Sequence, residues 1–250
     1  MEKVDVVDLE RRFEERLRSD PSALTSTDVA DRVLEAAGAV RNLAVVDAGC
    51  GTGELCRRLT DRGARVAGID LCGGLLARAK SMVPEAGLAR ADAQALPFGT
   101  ARVDLATSVL VLHYLEDPAL ALAELARVLR PGGRLIVCDR ICSADPVLRA
   151  AQIGVERLRN PLIRRILSSE ELEGLLQDAG FEITHQIEFR RAESLEAWVA
   201  GTDPRWAKAV REEIVRLRGR DLGGFRVAPG DRVELRMALV ECRRRGADSK

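Results

Sequence analysis

The sequence has only two histidines in 250 residues, and its six cysteines (Cys50, Cys56, Cys72, Cys138, Cys142 and Cys242) contain no C-x-x-C pair. A structural zinc site needs four closely grouped soft ligands, so no metal is expected. Excess charge is missing as well, since 39 Lys and Arg balance 39 Asp and Glu. That balance argues against a dedicated nucleic-acid partner. The most apolar window, Ala106 to Leu112, falls far short of the ~20 residues that cross a bilayer. The opening residues MEKVDVVDLERRFEERLRSD put no apolar stretch behind their charges, so no signal peptide and no membrane span are expected. Internal repeats and low-complexity segments are also lacking. What is present is 46% hydrophobic residues, enough to bury the core of one domain and too many for a disordered chain. With so few cysteines, the expected compartment is the reducing cytoplasm.

Val6, Phe13 and Leu17 fall along one helical face of a charge-rich N-terminal stretch. After the break at Asp20-Pro21, Asp28 is expected to cap a helix running to Ala37, so that residues 1–38 form a helical cap. From Gly38 onward, strands alternate with helices. Strands are expected at Leu43–Asp47, Arg65–Ile69, Leu88–Arg90, Val103–Val109 and Arg134–Cys138. Helices are expected at Glu54–Asp61, Leu75–Met82 and Pro118–Arg130, the last with Leu120, Leu122, Leu125, Val128 and Leu129 on one face. Further on, Ile141–Leu167 reads as irregular helix, Glu170–Ala179 as helix, Phe181–Phe189 as strand, Trp198–Arg218 as broken helix and Val233–Cys242 as a last strand. Strands that are apolar throughout, separated by helices, indicate an open, Rossmann-like α/β sheet with helices on both faces.

The strongest chemical signal is VVDAGCGTG, Val45 to Gly53, in which a strand ends at Asp47 and Gly49, Gly51 and Gly53 precede a helix. Glycines let the backbone approach a ligand closely, and a helix N-terminus presents free N–H groups. The loop is not a dinucleotide fingerprint, because Glu54 stands where G-x-G-x-x-G needs its third glycine; nor is it a P-loop, because no lysine follows. Asp47 and Glu54 would repel a pyrophosphate and suit a ligand with a cationic amino group. Asp70 closes the second strand, 21 residues after Gly49, near the usual ~20-residue offset of a ribose-binding carboxylate. In ADAQALPF, Asp92 follows the third strand, where it can accept an adenine amine while Ala93 offers its backbone N–H.

These motifs, followed in order by SVLVLHYLEDP (Ser108–Pro118) and LRPGGRLIVCD (Leu129–Asp139), resemble those of class I S-adenosylmethionine-dependent methyltransferases, in the broad group that includes quinone-biosynthesis and small-molecule enzymes. The resemblance covers Leu43 to Asp139 closely and Phe181 to Cys242 in outline. It implies a seven-stranded sheet whose last strand runs antiparallel, a cofactor-binding half at 39–140 and a substrate-side half at 141–250. It implies S-adenosylmethionine as cofactor, with Asp47, Ala48, Gly49, Gly51 and Gly53 around the methionine moiety. Asp70 would hold the ribose, Leu71 would flank the adenine, Asp92 and Ala93 would read its edge, and Val109 would lie below the sulfonium. The run Leu71-Cys72-Gly73-Gly74 departs from the family, which usually opens this helix with a short polar residue.

Methyl transfer to a small-molecule acceptor, on O or C, is the expected reaction. His113, just after the fourth strand, is the candidate general base because imidazole titrates near the working pH. Asp139, at the end of the fifth strand, faces the acceptor or caps a turn. Trp198 and Trp206 are read as pocket or core residues, Cys138 and Cys142 as small apolar side chains, His185 as structural, and the basic stretch Arg157–Arg165 as a solvated helix face, with a phosphate or carboxylate on the substrate as its alternative use. The competing reading is a methyltransferase-like partner subunit that holds the cofactor without turnover. A nicotinamide dehydrogenase is disfavoured by Glu54.

Overall fold

The computed structural model describes residues 11, 13–15, 27–200, 202 and 204–246. Most of the expected N-terminal cap, including the helical face of Val6 and Leu17, lies outside the described residues. Residues 11 and 13–15 are helical, and the full helix described there is α1, Thr27–Ala37, which buries Val29, Val33, Leu34 and Ala37. Asp28 sits in the first turn of α1 rather than before it, and its carboxylate faces the Arg191 guanidinium at 3.7 Å.

Strands and helices then alternate as β1 (Ala44–Ala48), α2 (Glu54–Asp61), β2 (Arg65–Asp70), α3 (Gly73–Met82), β3 (Gly87–Arg90) and β4 (Val103–Val109). They continue as α4 (Pro118–Val128), β5 (Leu129–Arg140), α5 (Pro146–Arg159), α6 (Ser169–Asp178) and β6 (Phe181–Ser194). Last come α7 (Leu195–Ala200), α8 (Pro204–Arg216), β7 (Phe225–Ala228) and β8 (Arg232–Arg244). The sheet order is β3-β2-β1-β4-β5-β8-β6. Every pair up to β5 is parallel, and β8 runs antiparallel between β5 and β6. This is the expected seven-strand path with its last strand reversed. An eighth strand, β7, was not anticipated; four residues carry too little pattern to read, and β7 is held by pairing with β8 outside the main path.

Period-two alternation divides the core between the two faces of the sheet. Val45, Leu105, Ile136 and Leu239 pack on one side, and their neighbours Val46, Ala106, Val137 and Val240 on the other. Three expectations need correction. The helix over Pro118–Arg130 stops at Val128, because Pro131 disfavours helical backbone at Arg130 and Leu129 pairs with Val103 instead. Leu120 is not a core residue, since the buried face is formed by Ala121, Leu122, Leu125, Ala126 and Val128. Strand β6 runs on past Phe189 to Ser194, because ladder pairing with β8 overrides its polar sequence.

The chain crosses from the β1–β2–β3 side to the β4–β5 side between β1 and β4. In open α/β sheets, the crevice at the C-terminal ends of such strands is where ligands bind.

Candidate active site

At that crevice lies a cavity of about 390 Å³. Its walls bring together Asp47, Gly49 and Gly51 from the turn after β1, Asp70 and Leu71 after β2, Asp92 and Ala93 after β3, and Val109 at the end of β4. Ala48 and Gly53 do not line it. Ala48 is fully buried, and Gly53 forms the positive-φ N-cap of α2.

Backbone bonds to the end of β2 hold the turn in place. The Gly49 and Cys50 amides donate to the Ile69 carbonyl at 2.7 and 2.9 Å, and the Gly51 amide donates to Asp70 Oδ2 at 2.8 Å. Asp70 Oδ1 accepts from the Cys72 amide at 2.8 Å, which fixes the start of α3 despite its Gly-Gly opening. Burial pushes the Asp70 pKa up, and the amides of Cys72, Gly51 and Leu71 pull against it. Glycine is required at Gly49 on two grounds: φ is +82°, and a Cβ would stand 2.2 Å from Val111 Cγ2. Gly49→Ala is therefore expected to destabilise the protein by at least about 2 kcal/mol, combining left-handed strain with overpacking. Adding Val111→Ala should remove the clash and leave about 1 kcal/mol of backbone strain. Denaturant unfolding of both variants reads this directly, and equal stabilities for Gly49→Ala and wild type would contradict it.

Asp47 is 2% exposed. Its Oδ1 accepts from Thr107 Oγ1 at 2.6 Å and its Oδ2 from Cys56 Sγ at 3.5 Å. Burial, helped by the nearby Asp70 carboxylate and opposed by those two hydrogen bonds, raises its pKa to about 6. Asp92 is half-buried and engages Gln94, accepting from its backbone amide at 2.8 Å. Across the 47–94 part of the wall, the charged side chains are Asp47, Glu54, Asp70 and Asp92, all carboxylates.

After β4, Leu110 takes a left-handed φ of 59° while its amide donates to the Cys138 carbonyl at 2.8 Å. Non-glycine residues in this region are strained and cluster at functional sites, and Leu110 lines the cavity together with Val111. The next turn is a 3₁₀ helix, Leu112–Tyr114. Tyr114 faces the cavity, and its hydroxyl accepts from Asn160 Nδ2 at 3.0 Å.

The expected base is not on the cavity wall. His113 is 2% exposed, its Nδ1 lies 2.6 Å from Asp139 Oδ1, and its buried Nε2 has no hydrogen-bond partner among the described residues. Burial, with the Arg140 charge adding to it, holds the imidazole below its usual pKa against the pull of Asp139. The ring is thus neutral, with Nδ1–H donating to the carboxylate, and it sits inside the protein rather than in front of an acceptor. Asp139 is likewise buried, and it holds His113 instead of facing the cavity.

Residues that the sequence reading did not assign to the cavity complete the second half of the wall: Arg140, Arg159, Arg164, Arg191, Glu116 and Glu193. Arg159 and Arg164 belong to the stretch read as a solvated helix face. Helix α5 instead ends at Arg159, and the chain turns back so that the Arg164 amide donates to the His113 carbonyl at 2.9 Å. Asn160-Pro161 was the available signal for that turn, because a proline disfavours helix in the residue before it. Arg159 is 6% exposed; its Nε donates to the Trp198 carbonyl at 2.6 Å, and its guanidinium lies 5.0 Å from the Trp198 ring centroid. Trp198 is fully buried and Trp206 is 52% exposed, and neither lines the cavity. Arg140 pairs with the buried Glu156 through Nη1, and its own Nε has no hydrogen-bond partner among the described residues. His185 lies exposed on β6. All six cysteines are free and buried, and among the described residues no group of His, Cys, Asp and Glu could hold a metal.

Residues 46–137 match a family model described as a methyltransferase domain. The chain is 36% identical over 137 residues to malonyl-[acyl-carrier protein] O-methyltransferase of Pseudescherichia vulneris, covering 55% of each protein. It is 34% identical over 188 residues to O-methyltransferase cnsE of Penicillium expansum, covering 68% of this chain and 65% of that one. The chain thus spans between 55% and 65% of the length of these two curated relatives. A solved S-adenosylmethionine-dependent methyltransferase from Mesorhizobium loti superposes with a TM-score of 0.59 at 26% identity, covering 87% of this chain and 96% of that one. Residues 46–137 thus carry a methyltransferase domain, and the chain is similar to S-adenosylmethionine-dependent methyltransferases in sequence and in fold.

Proposed function

We propose that the protein transfers a methyl group from S-adenosylmethionine to a small-molecule acceptor, by O- or C-methylation. The observation that carries this reading is the cavity at the C-terminal strand ends, whose 47–94 wall presents carboxylates and a close glycine turn and, among the described residues, no cation. Such a wall suits a nucleoside with a cationic amino group and disfavours a pyrophosphate. Asp47 and the turn through Gly49 and Gly51 bind the methionine portion, with Ala48 and Gly53 shaping that turn from behind. Asp70 accepts from the ribose hydroxyls, Leu71 packs on the adenine, Asp92 and Ala93 meet its edge, and Val109 underlies the sulfur.

When bound, the cofactor supplies an already activated methyl group. The protein's own work is then to position the acceptor and exclude water. Leu110, Val111, Leu115 and Tyr114 form the apolar part of the wall beyond Val109 that does so. With His113 sealed in the interior, its role is to hold the 3₁₀ turn through Asp139 so that Tyr114 faces the acceptor. No helix among the described residues is long and apolar enough to cross a membrane. The free, buried thiols favour a cytoplasmic setting, and the zero net charge favours a small-molecule partner over nucleic acid.

The test is incubation with methyl-labelled S-adenosylmethionine and panels of phenols, carboxylic acids and enolisable ketones. Acceptor-dependent labelled product is expected. S-adenosylhomocysteine binding with no product from any acceptor would favour the non-catalytic alternative.

Asp47 makes the binding pH-dependent, with a definite sign. The free protein takes up a proton on Asp47 as pH falls through about 6. A bound ammonium group favours the carboxylate and so lowers that pKa. Affinity for S-adenosylhomocysteine should therefore be flat above pH 7 and fall toward tenfold per unit below pH 6. Asp47→Asn should flatten the profile. Calorimetry across pH 5 to 8 measures it, and an unchanged slope in the variant would remove Asp47 from the binding role. The same raised pKa means that the folded protein, without ligand, loses stability as pH rises from about 4 to 6, where the buried carboxyl ionises.

A further inference from the structure

Two thiols stand at the turn after β1, and methyl transfer uses neither. A Cβ on Gly68 would lie 2.9 Å from Cys50 Sγ and 3.0 Å from Cys56 Sγ, so both sulfurs crowd the one space that this glycine leaves. The thiols also meet each other. Contact with Cys50, then burial and the Asp47 charge, pushes the Cys56 thiol above its usual pKa.

Their surroundings differ. Cys50 lies on the cavity wall and is 7% exposed, whereas Cys56 is fully buried. Cys56 Sγ donates to Asp47 Oδ2 at 3.5 Å. Cys50 is thus the thiol that a small oxidant in the cavity meets first, and Cys56 stands behind it with a carboxylate placed to take its proton. The other four cysteines are buried and do not line the cavity. Between Cys50 and Cys56 lie Gly51 and Gly53, with φ of +55° and +85°. Their backbone freedom lets the turn adjust as the sulfurs close.

We propose that Cys50 and Cys56 are a peroxide-sensitive thiol pair, and that the disulfide they form closes the cofactor cavity. In the first step the Cys50 thiolate attacks one peroxide oxygen and becomes a sulfenic acid. The O–O bond breaks, and the departing hydroxide takes up the proton that the thiol gave up. In the second step the Cys56 sulfur attacks the Cys50 sulfur while its proton passes to Asp47. The S–S bond forms, the S–O bond breaks, and the departing hydroxide collects that proton as water. Two thiols lose two electrons in total, and one peroxide is reduced to two waters.

The new bond draws the sulfurs to about 2.05 Å, which pulls Cys50 off the cavity wall and the turn with it. That turn is fastened to β2 by the Cys50 amide at 2.9 Å and the Gly51 amide at 2.8 Å, so both bonds are disturbed. Asp47 also loses the Cys56 hydrogen bond that lowers its pKa, and so keeps its proton to higher pH. Both changes oppose a cationic amino group at Asp47. The effect on binding rests on the methyltransferase reading, whereas formation of the disulfide does not.

The experiment treats the full-length reduced protein with hydrogen peroxide and maps its thiols by alkylation and mass spectrometry. Affinity for S-adenosylhomocysteine is measured by calorimetry before peroxide, after it, and after dithiothreitol. A mass loss of two hydrogens is expected, with Cys50 and Cys56 both protected from alkylation. Affinity is expected to fall at least tenfold and to return with dithiothreitol. Cys56→Ser should leave on Cys50 a sulfenic acid that dimedone traps. Cys50→Ser should keep, after peroxide, the affinity of its own reduced form.

No linkage, or a linkage between other cysteines, would overturn the thiol pair. A Cys50–Cys56 linkage with affinity within twofold of the reduced protein would overturn the closure of the cavity, as would an equal loss of affinity in Cys50→Ser. If S-adenosylhomocysteine fails to bind the reduced protein while the linkage still forms, the methyltransferase reading falls and the thiol pair stands.

Discussion

Asp70→Ala is expected to lower the affinity for S-adenosylhomocysteine by between tenfold and several hundredfold while leaving the protein folded. The carboxylate is held by the Gly51 and Cys72 amides at 2.8 Å each, so its direction into the cavity is fixed before any ligand arrives. Each oxygen retains acceptor capacity for a ribose hydroxyl, and a hydrogen bond to a charged group is worth about 1.5–3 kcal/mol. One lost bond of that size gives roughly tenfold, and two give a hundredfold or more. The substitution also frees the Gly51 amide, so part of the loss comes from a looser turn after β1. Asp70→Asn separates the two effects, since it keeps a carbonyl acceptor for one of the amides and removes the charge. Calorimetry on both variants, with circular dichroism as the control for folding, makes the measurement. Affinity within twofold of wild type in Asp70→Ala would defeat the ribose assignment.

Glu156→Ala is expected to destabilise the protein by about 3–5 kcal/mol, the largest stability effect of any change proposed here. Glu156 and Arg140 keep only 1% and 6% of their side chains exposed, and they form an ion pair. Removing the carboxylate leaves a buried guanidinium without its counter-charge and strips Gln152 Nε2 of its 2.9 Å acceptor. The penalty arises from the stranded charge, not from any large net value of the pair. Replacing both partners, as Arg140→Met with Glu156→Leu, should therefore recover most of the lost stability. Urea unfolding reads both variants. If the double variant is as unstable as Glu156→Ala, the explanation by a stranded charge is wrong.

The two halves of the cavity differ in how far sequence could reveal them. The half around Asp47, Gly49, Asp70 and Asp92 was legible because each part is local. A short apolar strand ends, a turn with its own residue signature follows, and the parallel sheet sets these turns side by side. The opposite half is assembled from distant segments. Arg159 and Arg164 reach the site because the chain reverses after α5, and Arg191 reaches it because β6 pairs with β8 well beyond its apolar stretch.

His113 shows the same limit at a single residue. Its position after β4 was plain from sequence, but its burial was not. That depends on Asp139, 26 residues away, standing at 2.6 Å on the neighbouring strand. Leu110 carried no signal at all, since nothing in a leucine announces a positive φ.

The claim on which the rest depends is that the turn from Asp47 to Gly53 receives a sulfonium nucleoside and not a phosphorylated one. Parallel calorimetric titrations with S-adenosylhomocysteine and with NADH at pH 7.5 test it most directly. One equivalent of S-adenosylhomocysteine is expected to bind, and NADH is expected to give no heat of binding. Saturable binding of NADH, or no binding of S-adenosylhomocysteine, would contradict it.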